Sequence, residues 1–163
     1  MPKHRLAEAA LRAPAVGPSF LVSQVGAHAA LEFGARLESL GLGPRHAGVL
    51  RIVGRNAGLS QQALSEMLGL FASRLVRLVD ELEARALLER RADPVDRRRY
   101  GLHLTKKGAR TLEAIGALTG ELEDDLFAAL SRAERRQLAA LLERVVAEQD
   151  LTPGVHSAYR SSK

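Results

Sequence analysis

Residues Ser73–Lys107 read SRLVRLVDELEARALLERRADPVDRRRYGLHLTKK, and the hydrophobic period changes inside that run. Leu75, Leu78, Val79 and Leu82 recur at the three- and four-residue spacing of one helix face, while Arg74, Arg77, Glu81 and Arg85 fall largely on the other. Beyond Glu89 the period drops to two. Tyr100, Leu102 and Leu104 alternate with Arg99, Gly101 and His103, which predicts a half-buried strand. Its partner is Glu89 to Ala92, joined through the turn-forming Asp93-Pro94-Val95-Asp96. A helix that fits a groove, followed by a hairpin tipped by Arg97, Arg98 and Arg99, is a layout suited to gripping duplex DNA.

Upstream, Ser60 is placed to cap a short helix through Leu64, Met67 and Leu68, and Gly69 marks a turn before Phe71. Two helices joined by a glycine-containing turn predict a helix-turn-helix. Pro44 starts an earlier helix with Val49, Leu50 and Val53 as its buried stripe, closed by Asn56 to Gly58. Ser19 can cap a further helix bearing Phe20, Leu21, Val25, Ala29, Phe33 and Leu37, ended by Gly41 to Gly43. His4 to Arg12 are expected to form a short helix before the Pro14–Pro18 break. After the hairpin, Thr105 caps a long helix with Leu112, Ile115, Leu118, Leu122, Leu126 and Leu130. Ser131 and Glu134 match a capping box for a last helix with Leu138, Leu141, Leu142, Val145 and Val146. The tail from Thr152 is expected to be loosely ordered or docked on a partner.

The expected fold is mainly α with a small β-wing: a winged helix-turn-helix flanked by N- and C-terminal dimerisation helices. At 163 residues the chain is expected to be a single domain, 1–163. Within it, 19–55 and 108–150 form the helical dimerisation part and 56–107 the DNA-binding part. The terminal Leu-rich stripes exceed what one small reading head could cover. A homodimer is therefore favoured over packing within one copy, with two heads on palindromic half-sites about 34 Å apart.

Charge narrows the partner. Residues 44–107 carry 13 basic and 7 acidic side chains, whereas residues 108–163 carry 7 and 9. Positive charge concentrated beside a hairpin points to a polyanion. The chain has no cysteine, which removes disulfides, thiolate metal sites and thiol redox switching, and fits a cytoplasmic protein. The uncharged stretch 13–31 is broken by Pro14, Gly17 and Pro18, so no membrane span is expected, and Glu8 and Arg12 break any apolar signal region. No cofactor is expected: there is no nucleophile elbow, phosphate-cradling loop or metal-ligand set, and His103 beside Thr105 is a strand pattern. The chain is not expected to be an enzyme.

The run LVRLVDELEARALLERRADPVDRRRYGLHLTKKG, residues 75–108, resembles the recognition helix, wing and following turn of the MarR family of bacterial transcriptional regulators. The specific part is Asp93-Pro94, Asp96-Arg97-Arg98, then Leu104-Thr105 and Gly108; the flanking helices, over about 19 to 150, resemble the family in pattern. The resemblance implies that Arg98 enters a minor groove and that Asp96 steadies the wing by pairing with a nearby basic residue. Arg97 and Arg99 either touch phosphates or pair with Asp93 or Asp96. It further implies a pocket bordered by the helices carrying His28 and His46, where small phenolic or other aromatic acids act as effectors; His28, His46 and Arg51, the last as a carboxylate partner, are either ligand contacts there or structural and solvated side chains, the latter being favoured.

Ser73, Arg74 and Arg77 are the candidate contacts of the recognition helix: arginine can bond guanine O6 and N7 bidentately, the sequence leaves open which of the two arginines reads bases, and Arg77, a turn deeper, is the better placed for a phosphate. Phe71 is either a hydrophobic staple or a thymine-methyl contact. Ser60, Gln61 and Gln62 either cap their helix or offer its N-terminal amides to a phosphate. Lys106 and Lys107 are phosphate contacts or solvated charge. Three features depart from the family pattern. Phe71-Ala72-Ser73-Arg74 keeps only one of the usual Ser/Thr positions. Ala86 replaces a frequent glycine, and its backbone is expected to stay right-handed. The cysteine of peroxide-sensing members is missing. The sequence also leaves room for a second function, a winged-helix assembly module whose basic wing meets an acidic protein.

Overall fold

The computed structural model describes residues 16–92 and 100–152. In chain order these form α1 (Pro18–Glu38), α2 (Pro44–Arg55), α3 (Gln61–Leu68), α4 (Ala72–Ala84), β1 (Leu88–Ala92), β2 (Tyr100–Leu104), α5 (Lys106–Leu126) and α6 (Arg132–Glu148). The wing tip with Asp93, Asp96, Arg97, Arg98 and Arg99, the His4–Arg12 segment and the tail beyond Thr152 lie outside the described residues.

The starts of the helices follow local chemistry. Ser60 Oγ accepts from the Ala63 amide, Thr105 Oγ1 from Gly108, and Ser131 Oγ from Glu134. Glu134 returns the favour to the Ser131 amide, and its bonds from the Ser131 hydroxyl and amide hold its carboxyl below the ordinary carboxylate range. One expected cap differs. α1 is entered through Gly17, with Pro18 at the first helical position, so Ser19 is already inside the helix. Proline presets the helical φ there at no hydrogen-bond cost, which makes a side-chain cap one residue later unnecessary.

Four helices end in the same reverse turn. After α1, α3, α4 and α6 a left-handed residue lets its own amide and the next one reach back to the last carbonyls. For α4 the Ala86 amide meets Glu83 O at 2.8 Å and the Leu87 amide meets Leu82 O at 2.9 Å. The left-handed residue is therefore Ala86, with φ 56°, and not the right-handed alanine expected from sequence. The two bonds, and Thr105 Oγ1 donating to Ala86 O at 2.6 Å, outweigh the Cβ strain. Ala86→Gly is expected to relieve that strain and stabilise the fold by about 1 kcal/mol, read as a rise in Tm of roughly 2–4 °C. A fall in Tm would contradict it.

The strands pair antiparallel, Leu88 opposite Leu104 through Ala92 opposite Tyr100. Residues 58–59 add a short third edge, with the Gly58 amide on Leu102 O and the Leu102 amide on Leu59 O, both at 2.9 Å. The approach is close enough that a Cβ on Gly101 would lie 2.8 Å from the Gly58 backbone.

The core is aliphatic. Leu37, Val49, Leu50, Val53, Leu64, Leu68, Leu75, Val79, Leu82, Leu88, Leu102 and Ile115 are all essentially inaccessible and form one cluster across α1 to α5. α2 packs on β2, α4 and α5, so its stripe serves the reading head directly. The outer helices behave otherwise. Only Leu37 of α1 is buried, and of the expected stripe Phe20, Leu21 and Val25 are exposed. No residue of α6 is buried among the described residues, although Leu141, Leu142 and Val145 lie along it. α5 stops at Leu126, so Leu130 sits in the connection to α6.

Candidate nucleic-acid interface

The exposed side of α4 is built by charge placement. Arg74 and Arg77 lie in its first half; Asp80, Glu81 and Glu83 lie in its second, and no acidic residue stands in the first turn nor a basic one in the last. This is opposite to what the helix dipole favours. Every one of the three carboxylates is bonded to another element. Asp80 Oδ1 accepts from Arg90 at 2.6 Å, Glu83 from the same guanidinium and from the Arg90 amide at 3.0 Å, and Glu81 from the His46 ring at 2.8 Å. The carboxylates of the second half are thus tied back to other elements, and the first half is turned to solvent, where Ser73, Arg74 and Arg77 are all exposed.

Three tethers fix how α4 sits. Arg90 on β1 holds Asp80 and Glu83 while its Nε donates to Gln61 Oε1 of α3 at 3.0 Å, joining both helices of the motif to the base of the wing. His46 joins α4 to α2: its Nδ1 accepts from the Gly43 amide at 3.1 Å, which leaves Nε2 to donate to Glu81. At the C-terminus of α4, Lys107 Nζ donates to Arg85 O at 2.9 Å and Arg85 reaches back to Gly41 O. An open groove of about 300 Å³ lies here, lined by Leu40, Arg85, Leu87, Lys107 and Thr111.

The sequence-derived candidates are placed as follows. Ser60 caps α3 as expected, Gln62 is exposed and bonded to Glu66, and Gln61 is half-buried on Arg90 with its Nε2 buried and, among the described residues, without a partner. Lys106 is exposed on the first turn of α5. His28 is exposed on α1, Arg51 is half-buried on α2, and no hydrogen bond or ion pair among the described residues joins either of them to His46. Phe71 is 63% exposed as the N-cap of α4. The staple positions belong instead to Leu70 and Leu75, both in the core. Sequence reasoning missed Arg90, although its spacing from the buried Leu88 places both on one strand face.

A recognition-type helix, a short-turned partner helix and a two-stranded wing, set between long outer helices, invite comparison with known proteins. Residues 40–99 match the family model described as MarR family. A protein of Thauera aromatica whose name assigns it to transcriptional regulation of the hcr operon is 38% identical over 113 residues, covering 69% of this chain and 68% of that one. The chain belongs to the MarR family. The transcriptional repressor MprA of Escherichia coli K12 is 33% identical over 95 residues, 58% of this chain and 54% of MprA. Wild-type MarR of E. coli in its apo form superposes with a TM-score of 0.70 at 25% identity, over 82% of this chain and 99% of that structure. A MarR-family regulator from Rhodococcus sp. RHA1 does so with a TM-score of 0.67 at 29% identity, over 78% and 90%.

This MarR-family chain is a transcriptional regulator and not an enzyme. Its mainly helical fold with a two-stranded wing is the one the sequence predicts. None of its helices, among the described residues, is long and apolar enough to cross a membrane.

Proposed function

We propose that the protein is a homodimeric, sequence-specific repressor that binds palindromic operators. Each copy lays α4 in a major groove and reaches the neighbouring minor groove with its wing, Arg98 foremost. The observation that carries this reading is the charge layout of α4: its arginines stand on the exposed first half of the helix, while the carboxylates of the second half are bonded back to Arg90 and His46. Ser73, Arg74 and Arg77 are assigned to the groove and Arg97, Arg99 and Lys106 to phosphates. Ser60 and Gln62 present the start of α3 to the backbone, and Gln61 steadies it through Arg90. Asp93 and Asp96 hold the wing.

Dimerisation is supported by the outer helices. Phe20 at 56%, Leu31 at 74% and Val145 at 56% exposure leave apolar stripes on α1 and α6 that a second copy would cover. A small aromatic acid is the proposed effector. Of the residues assigned to it, His46 is already bonded at both ring nitrogens, so a ligand there would release Glu81 and shift α4. His28 and Arg51 would complete the contact from α1 and α2.

Selection of bound duplexes from a random pool tests the reading directly. A two-fold-symmetric site is expected, with Arg98→Ala and Arg77→Ala each weakening binding roughly 10-fold or more. Affinity should fall by about 0.9 log units per phosphate contact for each tenfold rise in salt. Repetition with aromatic acids added checks the effector. Unchanged affinity in both arginine variants would refute the groove assignment.

A further inference from the structure

Val76 stands on the exposed side of α4, 43% accessible, in a helix whose other exposed positions are mostly polar or charged. A β-branched apolar residue is a poor choice for an exposed helical position, because its χ1 freedom is lost with no burial in return. Ala72 lies one turn before it at i−4, so the two share a strip of the surface. Beside that strip runs Ser73 and Arg77, also four apart. Phe71 precedes Ala72 at the tip of the helix and is likewise exposed. Asp80, the next residue of the apolar row, is drawn onto Arg90, so the row ends in a carboxylate already bonded.

In a major groove the apolar group that distinguishes one base is the thymine 5-methyl. We infer that Val76, backed by Ala72, reads a thymine methyl group in each half-site, next to the base met by Arg77. The occupant is duplex DNA because the strip is flanked by Arg74 and Arg77 while the carboxylates of the helix are bonded back to Arg90 and His46, a combination that suits a polyanion carrying isolated methyl groups. The inference rests on the DNA-binding reading above and adds to it which base α4 selects through its apolar row.

The test uses the full chain and its selected duplex, with each thymine replaced singly by uracil, which removes only the methyl group. One thymine per half-site is expected to lose about four-fold in affinity, the worth of one buried methyl. Val76→Ala is expected to bind the thymine and uracil duplexes equally at that position. Val76→Thr, which keeps one methyl, is expected to fall between. Thermal melts should leave both variants within a few degrees of the parent. Tight binding with every uracil neutral overturns the inference and leaves the DNA-binding reading standing. So does a Val76→Ala protein that keeps the full dependence. Failure to bind any duplex at low salt overturns both. A change in the oligomeric state of free Val76→Ala would assign the strip to a subunit contact and also overturn it.

Discussion

Gly108→Ala is expected to destabilise the fold by about 3 kcal/mol, lowering Tm by roughly 6–12 °C. Gly108 is buried in the first turn of α5, and a Cβ there would overlap the Leu87 carbonyl oxygen and crowd its carbon at 2.9 Å. The obstacle is backbone, and that backbone is already committed. The Thr105 amide bonds Leu87 O at 3.2 Å, and the Leu87 amide closes the end of α4. Relief would require α5 to move off the β1 junction, and Thr105 would lose its bonds to Gly108 and Ala86 together. Because Lys107 and Thr105 also cap α4, the loss should reach the recognition helix: hydrogen exchange in α4 is expected to accelerate along with that in β1. A variant that melts within one degree of the parent would refute the close approach.

Arg90→Met is expected to cost about 2–3 kcal/mol. The side chain is 23% exposed, so its ion pairs sit between the small worth of surface pairs and the large cost of breaking a buried one. Methionine fills much of the volume, so the loss isolates the bonds. Asp80, Glu83 and Gln61 Oε1 would lose a common donor, and Gln61 already carries a buried, unpartnered Nε2. Arg90→Lys should recover less than half of the loss, because one ammonium cannot hold a fork over two carboxylates and an amide. Chemical denaturation of the three proteins measures this. Equal stability of the Met and Arg forms would show that the network is ornamental.

The caps were legible because each is a local rule. Ser60, Thr105 and Ser131 act on amides three residues away, and the period-two pattern of Tyr100–Leu104 needs only a neighbouring strand. Ser19 failed as a cap because Pro18 competed for the same helix start. Ala86 was misread for a different reason. Its strain is judged locally, whereas the bonds that outweigh it come from Leu87, Glu83 and Thr105 across the helix end. The bonds that His46 and Gln61 make within the fold were not legible. Their partners, Glu81 and Arg90, are 35 and 29 residues away, and no sequence spacing announces such pairs.

What the order of residues determined by itself is the succession of elements and the direction of their faces, since period, caps and turn chemistry are properties of neighbours along the chain. It also settled the uneven charge, which pointed to a polyanion. Only the tertiary structure decided where those charges lie relative to one another. Folding brings Arg90 onto Asp80 and Glu83 and His46 onto Glu81, and this ties the acidic half of α4 back to the protein while the arginine half faces outward. The apolar stripes of α1 and α6 show the same division: the pattern predicts that they must be covered, and the single chain leaves them open because its core is already filled by α2 to α5.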